Sequence, residues 1–492
     1  MSIGYSGEHF YLDKSNPEQP VIYVSESHRG NHQLQSILAE QRLKYPNLLI
    51  ELVQLDKLKD IQQKQLIKNE KASNPQAKVI EYFRKAKKLG ASDIHFLIGM
   101  NKITLVQFRI HGDLETIDKL DEEEGKTLAS TIVMSMCDVA EKSFNAHRPQ
   151  DARIRKEFLK ATELFGARYS HTPAEFGLYV AMRVLLDEGK APPTLDELGF
   201  LPEQQLLIRR MLSTPEGVVI ISGPTGSGKS TSLRTFSEIY LSFTNHRKRL
   251  LTLEDPPEGL IRGAVQIPII ADKNNPETVS RAWVRSISAL LRLDPDAMIV
   301  GEIRDSHSVQ SGLSAAKSGH LVFTTLHANC SVGILDRLTD TLDIPMGQIA
   351  DPQVMIGLIS QRLVQLLCPH CKESWKDVKE TLEPEKKALL QNFCDTEKLF
   401  FQNSSGCKYC HKGVTGRKAI AEVIRPDAKF MSIYRNKGKL AARSYWVHEL
   451  GGITRGQHLQ RYLNAGLVDP IKADYISPLD EDSLTLLPRE EI

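Results

Sequence analysis

A glycine-rich turn at residues 223–230, Gly-Pro-Thr-Gly-Ser-Gly-Lys-Ser, restricts the possible folds of this 492-residue chain more than any other feature. It follows an apolar run at 217–222, which predicts a buried strand, and it precedes a predicted helix from Lys229 to about Leu241. A strand, a glycine turn and a helix in this order form the Walker A pattern, in which backbone N–H groups and a helix N-terminus surround nucleotide phosphates. The predicted phosphate-binding residues are Gly223, Pro224, Thr225, Gly226, Ser227, Gly228, Lys229, Ser230 and Thr231.

Two side chains of this pattern carry specific chemistry. We expect Lys229 to reach the β- and γ-phosphates of the nucleotide, and the Ser230 hydroxyl to bind Mg²⁺. A phosphate cradle of this kind binds a nucleotide but does not hydrolyse it. Hydrolysis also needs carboxylates that hold the metal and orient water, and cations that stabilise charge on the γ-phosphoryl group.

Length and composition predict an ordinary globular protein of two to four domains, with 41% hydrophobic and 25% charged residues. The net charge of +2 argues neither for nor against a nucleic-acid partner. The N-terminal residues lack the apolar core of a signal peptide, and no stretch approaches the roughly 18 apolar residues that would span a bilayer. We therefore expect a cytoplasmic protein. Its seven cysteines do not indicate a disulfide scaffold.

The chain divides into four predicted parts, and the expected fold class is α/β. Residues 1–74 form a small N-terminal module, with strands near 21–24 and 48–53 and a helix near 32–44. Residues 75–187 read as an α+β unit, and 188–194 have linker composition. In 195–492, short apolar strands alternate with helices, which is typical of a parallel sheet. In the last two units we expect helices at 76–89 and 126–137 and strands at 93–98, 103–110, 217–222, 249–253, 297–300 and 321–326.

Acidic residues follow two of these strands, where ligands of open α/β sheets bind. The strand at 249–253 runs into Glu254, Asp255 and Glu258, and the strand at 297–300 is followed by Gly301 and Glu302. A buried strand that ends in an acid is the Walker B arrangement, but Gly301 stands where an aspartate is usual. Glu302 is therefore the predicted carboxylate on this second strand.

Histidines flank the strand at 321–326. His320 and His327 lie roughly 23 Å apart on an extended strand, so they cannot both serve one small site. His327, at the C-terminal end, is the candidate for contact with the γ-phosphate, and we expect His320 to be structural or at a subunit contact.

These segments, in this order, resemble the secretion ATPases of type II secretion and type IV pilus assembly. The matching strings are GPTGSGKST, LLTLEDPPE, LLRLDPDAMIVGEIRD with its glycine, and SGHLVFTTLHAN, and similarity extends over about 75–425. The resemblance implies a RecA-like P-loop domain, an α+β N-terminal ATPase-half domain, a small N-terminal module and a zinc-binding insertion. It implies that Glu254 polarises the attacking water, that Glu302 supports the Mg²⁺ site and that His327 senses the γ-phosphate. It further implies an arginine that reaches the nucleotide, with Arg168 preferred over Arg153 and Arg183.

Two cysteine pairs, Cys368 with Cys371 and Cys407 with Cys410, form a CxxC…CxxC pattern that predicts a tetrahedral, structural zinc site. Free thiols or a redox pair are the alternative, and His370 and His411 are alternative ligands with a strained geometry. The segment between the pairs is too polar for a core of its own, so we expect the metal to fix it. The resemblance agrees, because assembly-type members carry this element and retraction-type and conjugative members generally lack it.

The resulting hypothesis is a cytoplasmic homo-hexameric ATPase that uses ATP, Mg²⁺ and Zn²⁺. It would lie peripherally at the inner membrane of a bacterium, push an inner-membrane platform protein, and drive assembly of a pilus or pseudopilus with other components of that system. A retraction or DNA-transfer motor with the same core is one alternative. A nucleic-acid-binding zinc ribbon with a regulatory P-loop is another, but acids interleave with the lysines around the cysteines, and no nucleic-acid partner is expected. The residues after about 430 are expected to form a folded extension.

Overall fold

The computed structural model describes residues 5–7, 10–13, 20–28, 32–55, 57–58, 74–138, 143–185, 191–269, 276–303 and 305–492. Residues 188–190 of the predicted linker at 188–194, most of a charged stretch at 57–70, and residue 304 of the second acidic motif lie outside these ranges. The division into four parts at 74, 187 and 194 stays a prediction. In the part of the chain that is described, no helix has both the length and the apolar character needed to span a membrane.

The N-terminal residues form a small four-stranded sheet with one helix, His32–Lys44. Its core contains Phe10, Leu12, Ile22 and Val24 from the strands. The predicted helix and two predicted strands are confirmed, and the parallel pairing of the last two strands explains why a helix connects them. The strands are β1 (Tyr5–Gly7), β2 (Phe10–Asp13), β3 (Val21–Ser25) and β4 (Leu49–Val53).

A seven-stranded sheet of mainly antiparallel hairpins follows, in the order β7-β6-β5-β11-β10-β9-β8. Alternating buried and half-buried residues along β6 show one face packed on a core and one face open, as in many antiparallel sheets. We call this the antiparallel sheet. Its strands are β5 (Ala91–Met100), β6 (Ile103–Ile110), β7 (Asp113–Asp121), β8 (Cys137–Asp138), β9 (Gln150–Ile154), β10 (Gly166–Ala174) and β11 (Gly177–Leu185).

Two helices, Asn74–Lys88 and Glu122–Thr131, pack on the antiparallel sheet. The first agrees with the predicted helix at 76–89. The second was predicted at 126–137, which is wrong at its start, because the Asp121 carboxylate accepts a hydrogen bond from Glu124 N (2.7 Å) and caps the helix four residues earlier. It continues as one π-helical turn, Ile132–Met136.

The third sheet, which we call the central sheet, has the order β14-β13-β15-β16-β12-β17-β20, with only the β17–β20 pair antiparallel. The predicted parallel sheet is confirmed, and the four predicted strands begin and end within one residue of their expected positions. β12 and β16 are buried along their whole length, as strands covered on both faces must be. Its strands are β12 (Gly217–Ser222), β13 (Leu250–Glu254), β14 (Ala264–Pro268), β15 (Ala297–Val300), β16 (Leu321–Leu326), β17 (Met355–Leu367) and β20 (Val414–Ile424), whereas β18 (Glu373–Ser374) and β19 (Phe400–Phe401) form a separate sheet.

The segment between the cysteine pairs forms the two-stranded sheet β18–β19 and two helices. Its apolar side chains share a core with neighbouring elements, which agrees with the expectation that the segment is too polar for a core of its own. Trp375, Leu390, Leu399 and Phe401 are buried in a cluster that they share with β17, β20 and the C-terminal helices. A few apolar residues suffice here because neighbouring elements supply the rest of the core.

The residues after 430 are folded, as predicted, and they belong to the core of the central sheet. Phe430, Met431, Tyr445 and Trp446 pack in the same cluster as β13 and β16. The remaining helices are Lys156–Leu159, Leu195–Leu198, Pro202–Leu212, Lys229–Phe243, Pro276–Leu290, Ser306–Lys317, Gly333–Asp336, Met346–Ile349, Trp375–Val378, Pro384–Phe393, Ala428–Lys437, Lys439–His448, Arg455–Asn464, Pro470–Ile476 and Glu481–Thr485.

Candidate functional site

The glycine turn connects β12 to the helix Lys229–Phe243, as the sequence predicts. Gly223, Gly226 and Gly228 have positive φ angles of 149°, 78° and 86°, which L-residues with a Cβ rarely adopt. A Cβ on Gly223 would also lie 2.3 Å from the carbonyl oxygen of Gln361. The turn therefore needs glycine for both its backbone conformation and its close contact with β17.

The Lys229 ammonium lies over this turn. Its Nζ donates hydrogen bonds to the carbonyl oxygens of Gly223 (2.7 Å) and Pro224 (3.1 Å). Burial lowers the pKa of Lys229, and the nearby carboxylates of Glu302 and Glu258 oppose this effect. Ser230, the next residue, is exposed at the first turn of the helix. The charge and the hydroxyl thus stand at the mouth of the turn.

Gln361 supports the glycine turn through side-chain hydrogen bonds, and this residue was not identified from the sequence. Its side chain donates from Nε2 to Ser227 O (2.7 Å) and accepts from Ser232 Oγ at Oε1 (2.9 Å). The residue is 1% exposed in β17, next to β12. An amide inside a long apolar strand was the available signal, because a buried polar group of this kind needs partners.

The predicted acids lie at the carboxyl ends of β13 and β15. Glu254 Oε1 accepts hydrogen bonds from Thr252 Oγ1 (2.6 Å) and Gln266 Nε2 (2.9 Å), which fix its orientation. Glu302 Oε1 lies 3.3 Å from His327 Nε2. The ends of three neighbouring strands therefore bring the two acids and the histidine to one edge of the central sheet.

Gly301, which departs from the usual aspartate, has a steric reason. A Cβ at this position would lie 3.0 Å from the carbonyl oxygen of Leu253. The Gly301 N–H donates to the same oxygen (2.8 Å), and its carbonyl oxygen accepts from Thr325 Oγ1 (2.7 Å). Glycine at this position lets β15 end close against β13 and β16.

Three arginines stand side by side across the antiparallel sheet, since Arg168 pairs in register with Arg153 on one side and Arg183 on the other. Arg168 donates to Pro256 O (3.0 Å) and lies 3.1 Å from Glu258 Oε1, so it contacts the acidic loop after β13. Arg183 Nε lies 3.2 Å from Asp93 Oδ1.

The guanidinium of Arg153 lies 5.9 Å from the centre of the Phe165 ring. Arg168 and Arg183 line the cleft between the two sheets, and Arg153 is not among the residues that line it. The structure thus brings two of the three candidate arginines to the candidate site.

The cleft has a volume of about 1520 Å³ and contains most of the predicted site. Its walls come from the antiparallel sheet on one side and the central sheet on the other. Arg109, Arg234 and Arg417 also line it, and sequence reasoning assigned them no role. The predicted residues that line the cleft are Pro224, Thr225, Gly226, Ser227, Gly228, Lys229, Ser230, Thr231, Glu254, Glu302, His327, Arg168 and Arg183.

The four predicted cysteines form a compact cluster, with all sulfur atoms within 4.8 Å of one another. Three of the sulfur–sulfur distances are 3.7 Å: Cys368 to Cys407, Cys371 to Cys410, and Cys407 to Cys410. Four thiolates at about 2.3 Å from a tetrahedral zinc ion stand about 3.8 Å apart, so the donor set fits this metal.

The two histidines that were alternative ligands have other contacts. The His370 ring packs against Tyr409, with ring centres 4.3 Å apart. His411 Nε2 lies 2.8 Å from Glu115 Oε1 in β7, and Lys412 Nζ lies 2.8 Å from the other oxygen of the same carboxylate. The two residues that follow Cys410 therefore contact the antiparallel sheet beside the cysteine cluster.

The model of the family described as "Type II/IV secretion system protein" matches residues 68–460, which is most of the chain. The chain belongs to the type II/IV secretion system protein family. It is 35% identical to the type II secretion system ATPase E of Vibrio cholerae over 345 residues, which cover 69% of this chain and 63% of that protein. It is 33% identical to the type IV pilus assembly ATPase PilB of Pseudomonas aeruginosa over 350 residues, 71% of this chain and 58% of that protein. The matches thus span about three fifths of the length of these relatives.

Solved structures with this fold include the pilus retraction motor PilT with bound ADP. It has a TM-score of 0.52 and 22% identity, and the match covers 81% of this chain and 97% of PilT. The ATPase DotB of Legionella pneumophila also has a TM-score of 0.52, with 20% identity and coverage of 79% and 92%. At these low sequence identities, the similarity to PilT and DotB supports the fold of this chain only.

Proposed function

We propose that this member of the type II/IV secretion system protein family is an ATP hydrolase whose active site is the cleft between the antiparallel and central sheets. One observation carries the proposal: the glycine turn, two acids, a histidine and two arginines meet in a single cavity. These are the groups that phosphoryl transfer requires, namely a phosphate cradle, a water-orienting carboxylate and cations for the developing charge.

The residues of the cleft fit ATP and Mg²⁺. Gly226 and Gly228 line the cleft with backbone that carries no side chain, Lys229 brings a cation to it, and the Ser230 hydroxyl and Glu302 supply oxygen donors suited to Mg²⁺. When bound, Mg²⁺ neutralises phosphate charge and ATP supplies the phosphoryl group. Glu254, held by Thr252 and Gln266, orients the attacking water and accepts its proton. His327, paired with Glu302, contacts the γ-phosphate side of the site.

Arg168 links hydrolysis to motion in this proposal. It belongs to the antiparallel sheet but contacts the acidic loop of the central sheet, so its charge serves the site only while the two sheets are closed on each other. A closing and opening cleft converts each hydrolytic cycle into a mechanical stroke. We propose a homo-hexamer, peripheral at the inner membrane of a bacterium, that acts on an inner-membrane platform protein and drives pilus or pseudopilus assembly.

The assembly motor is favoured over a retraction or DNA-transfer motor. The sequence relatives include a type II secretion ATPase and a pilus assembly ATPase, at 33–35% identity. The cysteine cluster, which is the element that the resemblance associates with assembly-type members, supports the same choice. A nucleic-acid partner is not part of the proposal.

The first prediction concerns the cysteine cluster, which we propose binds one structural zinc ion per chain. A Cys368→Ser variant is expected to lose the metal and to unfold at a lower temperature, because a three-thiolate site no longer holds the segment 371–410 together. Metal content by mass spectrometry and thermal unfolding check this. Cys394→Ser is the matched control, since this thiol lies outside the cluster. A wild-type chain that is free of zinc and fully stable rules out the metal site.

The function itself is tested by measuring ATP turnover and particle size together, over a range of protein concentrations. We expect turnover per chain to rise as particles approach six times the 55.3 kDa chain. We expect Arg168→Ala to lower turnover by about ten-fold while ATP binding is retained, because neighbouring Arg183 keeps part of the positive charge. A chain that stays monomeric at every concentration and hydrolyses ATP at full rate contradicts the proposed hexameric motor.

A further inference from the structure

The loop that follows β16 carries His327 and is hydrogen-bonded to two buried charged side chains. The carboxylate of Glu422 in β20 accepts hydrogen bonds at Oε2 from Ser331 N (3.0 Å) and Ser331 Oγ (2.8 Å). The guanidinium of Arg455 donates from one Nη to the carbonyl oxygen of Asn329. Asn329 and Ser331 lie two and four residues after His327, so both contacts act on the backbone of its loop.

These groups belong to a buried ionic network that joins the loop to the C-terminal helices. Glu422 is fully buried and pairs with Arg443, whose other Nη lies 3.1 Å from Asp482 Oδ1. Burial would raise the pKa of Glu422, but Arg443 and Arg455 outweigh this and lower it to about 2. The carboxylate is therefore charged and able to accept the hydrogen bonds of the loop at any ordinary pH.

Arg455 is almost completely buried, with 2% exposed. Its second Nη lies 2.8 Å from Glu481 Oε1, which neutralises its charge while the first holds Asn329. A buried ion pair contributes little net stability compared with apolar packing, because desolvation offsets the Coulombic gain. The arrangement therefore suits a role in fixing the loop better than a role in holding the fold together.

We propose that Arg455 is a positioning residue that acts through the Asn329 carbonyl to hold His327 against Glu302 in the cleft. The proposal rests on the proposed ATPase function and adds to it a connection between the active site and the helix Arg455–Asn464. The chain of contacts is short. Arg455 fixes Asn329, this fixes the backbone two residues after His327, and His327 Nε2 lies 3.3 Å from Glu302. A small displacement of a reacting group is enough to lower a rate strongly.

The test compares Arg455→Met, which keeps the bulk of the side chain and removes the hydrogen bond to Asn329, with Arg461→Met. Arg461 is on the same helix but is exposed and pairs with Glu203 at the surface (2.9 Å). We expect Arg455→Met to lower kcat about ten-fold with ATP affinity nearly unchanged, Arg455→Lys to recover part of the loss, and Arg461→Met to match the wild type. Wild-type kcat in folded Arg455→Met overturns the proposal.

A double variant shows whether Arg455 acts through His327. Arg455→Met is expected to cost almost nothing further in a His327→Ala background, because the positioned group is gone. Independent, multiplicative losses overturn the proposal. If Arg455→Met does not fold, Glu481→Gln removes the carboxylate charge that orients the Arg455 guanidinium, which loosens its hold on Asn329 and should give a smaller loss of kcat with the same pattern.

Hydrogen exchange of residues 327–331 gives a readout that does not depend on turnover. We expect faster exchange in Arg455→Met than in Arg461→Met, because the Asn329 carbonyl loses its partner. Unchanged exchange overturns the positioning role. If the wild type does not hydrolyse ATP but exchange is still faster in Arg455→Met, the proposed function is overturned and the loop contact is established.

Discussion

Replacing Lys229 with alanine is expected to reduce ATP hydrolysis by about 10²-fold or more, the usual cost of removing one group that stabilises a transition-state charge. Lys229 Nζ donates hydrogen bonds to the carbonyl oxygens of Gly223 and Pro224, so its charge is already at the mouth of the phosphate cradle. The alanine variant lacks this charge. Solvent cannot take its place, because the ammonium is partly buried there. ATP affinity should fall as well, since the same ammonium attracts the β- and γ-phosphates in the bound state.

Phosphate release at saturating ATP, together with calorimetric ATP binding, measures both effects. Lys248→Ala is the matched control, because Lys248 is exposed, lies just beyond the helix Lys229–Phe243 and pairs with Asp296 (2.7 Å) away from the cleft. The control should keep wild-type turnover. A Lys229→Ala protein of normal particle size that retains more than about a tenth of wild-type turnover speaks against the assigned role.

Sequence reasoning predicted the central sheet well because its strands are short, continuous apolar runs that end in polar residues. β12 and β16 are examples, since all their residues are buried and their bounds agree with the prediction. β17 and β20 were missed. β17 contains Gln361 and Arg362, which interrupt its apolar pattern, and each is explained only by a partner far away in the sequence. Strand order likewise depends on contacts between distant segments.

The candidate site was predicted residue by residue, but not its assembly. The glycine turn, Glu254, Glu302 and His327 follow from local motifs at strand ends. Arg168 and Arg183 line the cleft, and Arg153 does not. This difference depends on the register of β9, β10 and β11 and on the orientation of each side chain. Sequence spacing does not determine this register, because it is set by the hairpin turns and by packing.

Buried charged residues were the feature that was predicted least well from the sequence. Nothing in the sequence indicates that Arg443 and Arg455 are buried, since arginine is rarely buried. Their burial becomes intelligible only with their acidic partners, of which Glu422 is in β20 and Glu481 and Asp482 are near the C-terminus. The predicted folded extension was therefore correct in kind, but its connection to the His327 loop could not be seen without the structure.

Replacing Glu254 with glutamine separates binding from hydrolysis. Glutamine has the same shape, and its carbonyl oxygen can still accept the hydrogen bonds from Thr252 and Gln266. It has no negative charge and cannot accept a proton from water. We expect turnover to fall by about 10²–10⁴-fold, the range for loss of a general base. ATP binding should be retained, because the glycine turn, Lys229 and Ser230 are unchanged.

The ratio of turnover to ATP affinity in Glu254→Gln is the most direct measurement of whether this cleft hydrolyses nucleotide. Glu238→Gln is the matched control, since Glu238 is in the helix Lys229–Phe243 but does not line the cleft. The predicted result is a Glu254→Gln protein that binds ATP as tightly as the wild type and releases almost no phosphate, beside a control that behaves normally. Phosphate release at the wild-type rate from Glu254→Gln would contradict the assignment of this cleft as the hydrolytic site.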